Sequence, residues 1–175
     1  FVCLIVLEKQ KDYAANLKKI EKILSGLGYK ISDDYVELMD DLLAGKDRLF
    51  YVEKDVDNIK VEVAVQYSAD YNEVVFGFAN NIYTVEGGMH VQGFRTALTR
   101  SLNSYARKHN FLKEKDTNLT GEDVREGLTA VISVKLPEPQ FEGQTKAKLG
   151  NAEVKPIVET VFGDYFSAFL DENPH

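Results

Sequence analysis

Ile59-Lys60-Val61-Glu62-Val63-Ala64-Val65-Gln66-Tyr67 alternates without a break. Ile59, Val61, Val63, Val65 and Tyr67 fall on one face, and Lys60, Glu62, Ala64 and Gln66 fall on the other. A period of two marks a strand, because successive side chains point to opposite faces of a sheet. The pattern predicts a strand with one face in a core and the other in water, as antiparallel sheets have. Upstream, Asp55-Val56-Asp57-Asn58 reads as a turn back to a short strand over 49–54. Downstream, 68–72 turns the chain into a strand over 74–79, which predicts a hairpin with 59–67. Leu128 to Leu136 is a further strand. Leu128, Ala130, Ile132, Val134 and Leu136 face one way, and Thr129, Ser133 and Lys135 the other. Val131 is an apolar exception, and Pro137 and Pro139 end the run.

Helical periodicity frames these strands. In 91–109, Phe94, Leu98, Ser101, Leu102 and Tyr105 make one face. Asn151 is a cap-type residue ahead of a last helix with Val154, Ile157, Val158, Val161, Phe162, Tyr165, Phe166, Phe169 and Leu170 on a broad apolar face. Pro156 there marks either the first helical turn or a bend. Thr120-Gly121-Glu122-Asp123 reads as the capped start of a short helix ending near Gly127. At the other end, 12–28 and 33–44 have helical spacing and glycine stops, so 12–45 is expected to be a helical hairpin, and 1–7 a buried strand. The order of strands, helix, strand, helix predicts an α+β fold, a mixed sheet with helices packed on one side.

Bulk composition narrows the function classes. The chain has 175 residues, enough for one domain or one domain and an appendage. Its net charge of −7 excludes a general nucleic-acid binder, so any DNA contact must come from a local basic patch. Cys3 is the one cysteine, which excludes an internal disulfide. The seven apolar residues at the start are too few to span a membrane, and a cytoplasmic protein is expected. The chain begins at Phe1 without a methionine, and it is expected to be a piece of something larger.

Two stretches could carry chemistry. The first is the polar loop Gln140-Phe141-Glu142-Gly143-Gln144-Thr145-Lys146-Ala147-Lys148-Leu149-Gly150, between a strand and a helix. It reads either as a solvated surface loop or as a phosphate contact, in which lysine supplies a point charge and glutamine a donor. The second is the helix 91–109. Arg100 and Arg107 lie nearly opposite its apolar face, and Arg95 lies at the border of that face. This is a solvated face or a stripe that meets a DNA backbone. Gly87-Gly88 permits a close backbone approach or positive φ. His90 has no partner at metal spacing, and neither a Walker loop nor a Gly-x-Gly-x-x-Gly run occurs. No nucleophile–base spacing is present either. One loop lysine cannot bind a nucleotide alone, so Lys146 would complete a site built by another domain.

The longer motifs settle on a family. These are 59–67, Asn80-Asn81-Ile82, the run from Glu86-Gly87-Gly88-Met89-His90 to Gly93-Phe94-Arg95, Ala97 to Arg100, Leu119-Thr120-Gly121-Glu122-Asp123-Val124-Arg125-Glu126-Gly127 onward to Ala130, and Pro139 to Lys146. Over roughly the last two thirds of the chain they resemble the transducer domain of bacterial DNA gyrase B, the ATP-using half of a type IIA topoisomerase. The B subunit of topoisomerase IV shares several of them. The resemblance implies a fold like domain 2 of ribosomal protein S5, with 1–175 as a single domain; residues 3–50 depart from the short connector expected of the family, so 12–45 reads as a helical insertion. It implies an ATPase domain upstream and a cleavage domain downstream, both absent here. ATP and Mg²⁺ would be bound mainly by that ATPase domain, and none by this fragment. Lys146 and Gln144 would reach the ATP γ-phosphate, and Arg95, with Arg100 and Arg107, would face the cavity through which DNA passes. Implied partners are the gyrase A subunit, a second gyrase B and double-stranded DNA, with no membrane. Met89 stands where the family usually has threonine. A topoisomerase IV fragment, or a non-catalytic S5-like module that binds RNA or protein, remains an alternative.

Overall fold

The computed structural model describes residues 49–67 and 72–173. The expected strand at 1–7 and the helical hairpin at 12–45 lie outside them. Five strands form one sheet: β1 (Phe50–Val56), β2 (Ile59–Tyr67), β3 (Val74–Ala79), β4 (Ile82–Tyr83) and β5 (Leu128–Lys135). Two long helices, α1 (Met89–Lys108) and α2 (Val154–Glu172), pack against each other and against the sheet. A second, two-stranded sheet is made by β6 (Phe141–Glu142) and β7 (Lys148–Leu149).

The large sheet runs in the order β1-β2-β5-β3-β4. All neighbours are antiparallel except β3 and β5, which are parallel, so the sheet is mixed. This corrects the expected hairpin of 59–67 with 74–79. The strand β5 lies between them, where its Ile132 stands opposite Val63 on one edge and opposite Gly77 on the other. Its residues from Ala130 to Val134 are buried without alternation. A strand apolar on both faces is most stable in the middle of a sheet, and the α1 crossover lets β5 return parallel to β3.

The core lies between the sheet and the two helices. Phe50, Val52, Val61, Val63, Val65, Ala130, Ile132 and Val134 face Phe94, Ala97, Leu98, Val158, Val161, Phe162 and Phe166. Phe50 takes Phe162, Phe166 and Phe169 edge-on at centroid distances of 5.2–5.5 Å. Such aromatic pairs add about 0.5–1.5 kcal/mol each beyond their buried area.

The opposite face of the sheet is not simply wet. Ala64 and Gln66 are buried, as are Tyr51, Phe78, Val131 and Ser133. Tyr51, Ala64, Val131 and Phe76 form one cross-strand row, and Tyr83 packs on Phe76 and Phe78 at 5.9 and 5.4 Å. Aromatic side chains shield this face. The polar residues of β2 keep their expected setting at one end, where Lys60 pairs with Glu53 and lies 3.5 Å from Glu62.

The helix at Thr120 reduces to a single 3-10 turn, Asp123–Arg125. The capping exchange is present: Thr120 N–H donates to Asp123 Oδ2 at 2.7 Å, and Asp123 N–H to Thr120 Oγ1 at 3.2 Å. Asn151 does not cap α2, whose N-cap is Glu153. Pro156 is the third residue of α2, within its first turn, where a missing N–H costs nothing.

Candidate functional site: a glycine-seated hairpin and an arginine on α1

The strands β6 and β7 pair Phe141 with Leu149 and Glu142 with Lys148, leaving 143–147 as the tip of a short hairpin. Two residues turn the tip by left-handed backbone, Gly143 at φ 75° and Lys146 at φ 55°. Glycine adopts this readily, whereas a non-glycine residue there costs about 1 kcal/mol or more. Such strain persists only where the surroundings enforce it.

The surroundings here are main chain. Glu86 N–H donates to Ala147 O at 2.9 Å, and Leu149 N–H donates to Gly87 O at 3.1 Å. Gly87 (φ 73°) and Gly88 (φ 136°) shape that seat, and Gly88 bridges Leu149 directly. The glycine pair therefore provides both of the properties expected of it. The base of the hairpin is held by the side chain of Asn151. Its Oδ1 accepts Gln140 N–H at 2.6 Å, and its Nδ2 donates to Glu138 O at 3.1 Å and to Glu153 Oε1 at 2.8 Å. Asn151 is buried, so these bonds account for a side chain withdrawn from the helix end.

The hairpin presents two lysines with different commitments. Lys148 pairs with Glu142 at 2.9 Å, a contact that raises its pKa. Lys146 is exposed and has no ion pair among the described residues. Its ammonium lies 5.8 Å from the centre of the Phe141 ring, a weak contact at an exposed site. Gln144 is exposed beside it, with no side-chain hydrogen bond among the described residues. Both groups are thus available to an anion.

The three α1 arginines occupy three separate settings. Arg95 Nη2 meets Glu73 Oε1 at 2.7 Å, and Arg125 Nε meets the other oxygen of the same carboxylate at 3.1 Å. Arg95 also borders a cavity of about 240 Å³ shared with Thr84, Glu86, Gly87, Gly88 and Gln92, so it adjoins the seat of the hairpin. Arg100 reaches Glu159 on α2, at 3.4 Å to its carbonyl and 3.9 Å to its carboxylate. Arg107 spends its fork on the connector, donating to Asn118 Oδ1, Lys113 O and Asp116 O at 2.6–3.1 Å. Asn103 fastens the same connector through both the N–H and the carbonyl of Leu119. Glu73, Arg125 and Asn103 were not singled out by the sequence, since nothing in local spacing ties them to the arginines or the loop, and Asn151 was expected only as a helix cap. Among the described residues, no group of three His, Cys, Asp or Glu side chains could hold a metal ion, and no helix is long and apolar enough to cross a membrane.

The sequence model of the family described as DNA gyrase B matches residues 12–175. The chain belongs to the DNA gyrase B family. The match begins ahead of residue 59, where the motifs quoted above start. Over 125 residues the chain is 62% identical to the DNA gyrase B subunit of Clostridium acetobutylicum, covering 71% of this chain and 20% of that protein. It is 60% identical over 144 residues to the gyrase B of Streptococcus pneumoniae serotype 4, covering 80% and 22%. Against Streptococcus pyogenes serotype M1 the figures are 49% over 190 residues, covering 94% and 29%. The chain therefore spans between 20% and 29% of these gyrase B relatives.

Among solved structures, the chain is similar to the 43K ATPase domain of Thermus thermophilus gyrase B in complex with an aminocoumarin. The TM-score is 0.69 at 38% identity, over 78% of this chain and 38% of that one. The ATP binding domain of Francisella tularensis topoisomerase IV, in complex with a small-molecule inhibitor, gives 0.65 at 28% identity, over 78% and 37%.

Proposed function

We propose that this chain is the transducer domain of a gyrase B protein, with the S5-like fold its motifs imply, and that it couples ATP use in an adjacent ATPase domain to clamp and DNA-gate motions during supercoiling. One observation carries this. Lys146 is an uncommitted ammonium in a left-handed turn, at the tip of a hairpin seated on two glycines. Family membership supports the reading, as does the likeness to a gyrase B ATPase-domain structure of which this chain covers 38%.

Lys146 and Gln144 act as a clamp on the γ-phosphate of ATP. A lysine presented at a hairpin tip stabilises charge on the transferred group and removes no proton. The contact exists only while the γ-phosphate is present, so binding favours one arrangement of the two domains and hydrolysis releases it. ATP and Mg²⁺ are assigned mainly to the adjacent ATPase domain, and no step here runs through the metal. Arg95, Arg100 and Arg107 are assigned to the DNA cavity, with unequal parts. Arg95 and Arg100 are exposed enough to meet a phosphate, whereas Arg107 holds the connector on which that face depends. The partners that follow are the gyrase A subunit, a second gyrase B and duplex DNA, in the cytoplasm.

The test is ATP hydrolysis by intact gyrase B with and without Lys146→Ala. Turnover should fall by about a hundredfold or more, the scale for losing one charge-stabilising donor, with this domain still folded. Turnover near the parent value would overturn the assignment.

A further inference from the structure

The turn that receives the hairpin is closed from within the fold. Thr84 is tied to β3 twice, its N–H and its hydroxyl both donating to Gly77 O at 2.9 Å. Thr84 O accepts Gly87 N–H at 2.8 Å. His90 Nε2 lies 3.2 Å from Thr84 Oγ1. The hydroxyl has one proton and gives it to Gly77 O, so the imidazole is the donor in that pair, with hydrogen on Nε2 and a bare Nδ1. His90 is fully buried, and among the described residues Nδ1 has no hydrogen-bond partner.

A bare buried acceptor is costly, because it has given up its bond to water. An apolar side chain would avoid that cost, so the bond from Nε2 is what distinguishes histidine here. Gly77 makes the space, since a Cβ there would stand 2.7 Å from His90 Nε2. Burial holds the imidazole pKa down at about 4. At neutral pH, therefore, His90 serves as an uncharged donor.

The contacts form one path. It runs from Gly77 O through Thr84 to His90, and from Thr84 O through Gly87 to Leu149 and, beside it, from Glu86 to Ala147. We propose that His90 and Thr84 are positioning residues for Lys146, because their contact closes 84–90 into a rigid seat that fixes the hairpin carrying that lysine. The consequence for turnover rests on the γ-phosphate reading of Lys146, whereas the seat itself rests on geometry alone.

The experiment compares His90→Leu, Thr84→Val and His90→Gln in intact gyrase B, using amide hydrogen exchange and ATP kinetics. Gln is included because its carboxamide N–H can replace Nε2–H. In His90→Leu and Thr84→Val, the Glu86 and Leu149 amides should exchange about tenfold faster or more, while amides of β2 and β5 keep their rates. The kcat for ATP should fall about tenfold, with KM within about twofold, as expected for a displaced group that acts late. His90→Gln should restore both. Unchanged exchange at Glu86 and Leu149 overturns the proposal, and so does acceleration shared equally with the sheet, which would mean general loosening. Selective loss of protection with undiminished turnover overturns the positioning role if Lys146→Ala lowers turnover, and removes Lys146 from the ATP site if Lys146→Ala leaves turnover unchanged.

Discussion

The main chains of Gly88 and Leu149 pass so close that a Cβ on residue 88 would stand 2.4 Å from both the nitrogen and the oxygen of Leu149. Nothing at that contact can yield cheaply, because both atoms belong to backbone that is already paired. Gly88→Ala adds the strain of φ 136° to the collision. The variant should lose about 2–4 kcal/mol of stability or release the hairpin altogether. Chemical denaturation separates the two outcomes. Release would leave the global midpoint nearly intact and expose 143–147 to proteolysis.

Asn151 should prove as important as the glycines, from the other side of the hairpin. Asn151→Ala removes the part-buried bonds to Gln140 N–H and Glu138 O and empties a buried site of its amide. A loss of about 2–3 kcal/mol is expected, read as a lowered midpoint in a urea titration. A true helix cap in this position would cost about 1 kcal/mol, so the size of the loss tells the two roles apart.

Glu73 pairs with both Arg95 and Arg125 through one carboxylate, offsetting one of their two charges. Glu73→Gln keeps the shape and removes the charge. Stability should change by less than about 1 kcal/mol, as is usual for exposed pairs. Duplex DNA should bind intact gyrase B more tightly at low salt, with a salt slope steeper by about one counterion. Fluorescence anisotropy across a salt series measures both. An unchanged slope would take Arg95 off the DNA surface.

Arg107→Lys keeps the charge and loses the fork that spans Lys113, Asp116 and Asn118. The expected result is faster proteolysis within 113–118 at nearly constant DNA affinity. A fall in affinity with the connector still protected would instead place Arg107 on the DNA.

His90 makes stability depend on pH. Its pKa is about 6.5 in the unfolded chain and about 4 in the fold, where burial penalises the charged ring. Below pH 6.5 the unfolded state therefore binds a proton that the folded state refuses. The contribution is whole above about 6.5 and is lost as the pH falls towards about 4, a total of roughly 3 kcal/mol. Asp171, held low by the hydrogen bond from Lys108, also loses its partner in acid. That loss is common to the parent and to His90→Gln, so the difference between their denaturation midpoints at pH 7 and pH 4.5 isolates the imidazole.

Much of this architecture was legible because side-chain period reports directly on backbone type. The alternation in 59–67 and the spacing in 91–109 each specify an element within two residues of its observed ends. Strand order was less legible. Adjacent strands in sequence usually pair, and only Val131, apolar where its neighbours alternate, hinted that 128–135 belongs between them. Asn151 was misread because a cap and a buried clasp demand the same short amide. The arginines showed their charge but not its neutralisation. Glu73 lies 22 residues from Arg95 and 52 from Arg125, and only the folded chain brings them together.

The hairpin's attachment to the seat is made from main-chain atoms on both sides, Glu86 to Ala147 and Gly87 to Leu149. Its tip is therefore free of any side-chain duty in holding it there. Thr145, exposed between Gln144 and Lys146, is a natural mounting point for a spectroscopic label. Cys3 is the segment's one thiol, so Thr145→Cys in a Cys3→Ser background carries a single dye within it. If the γ-phosphate reading of Lys146 holds, a fluorophore placed there would report each approach of the hairpin to a nucleotide as a change in emission, an optical gauge of the proposed stroke.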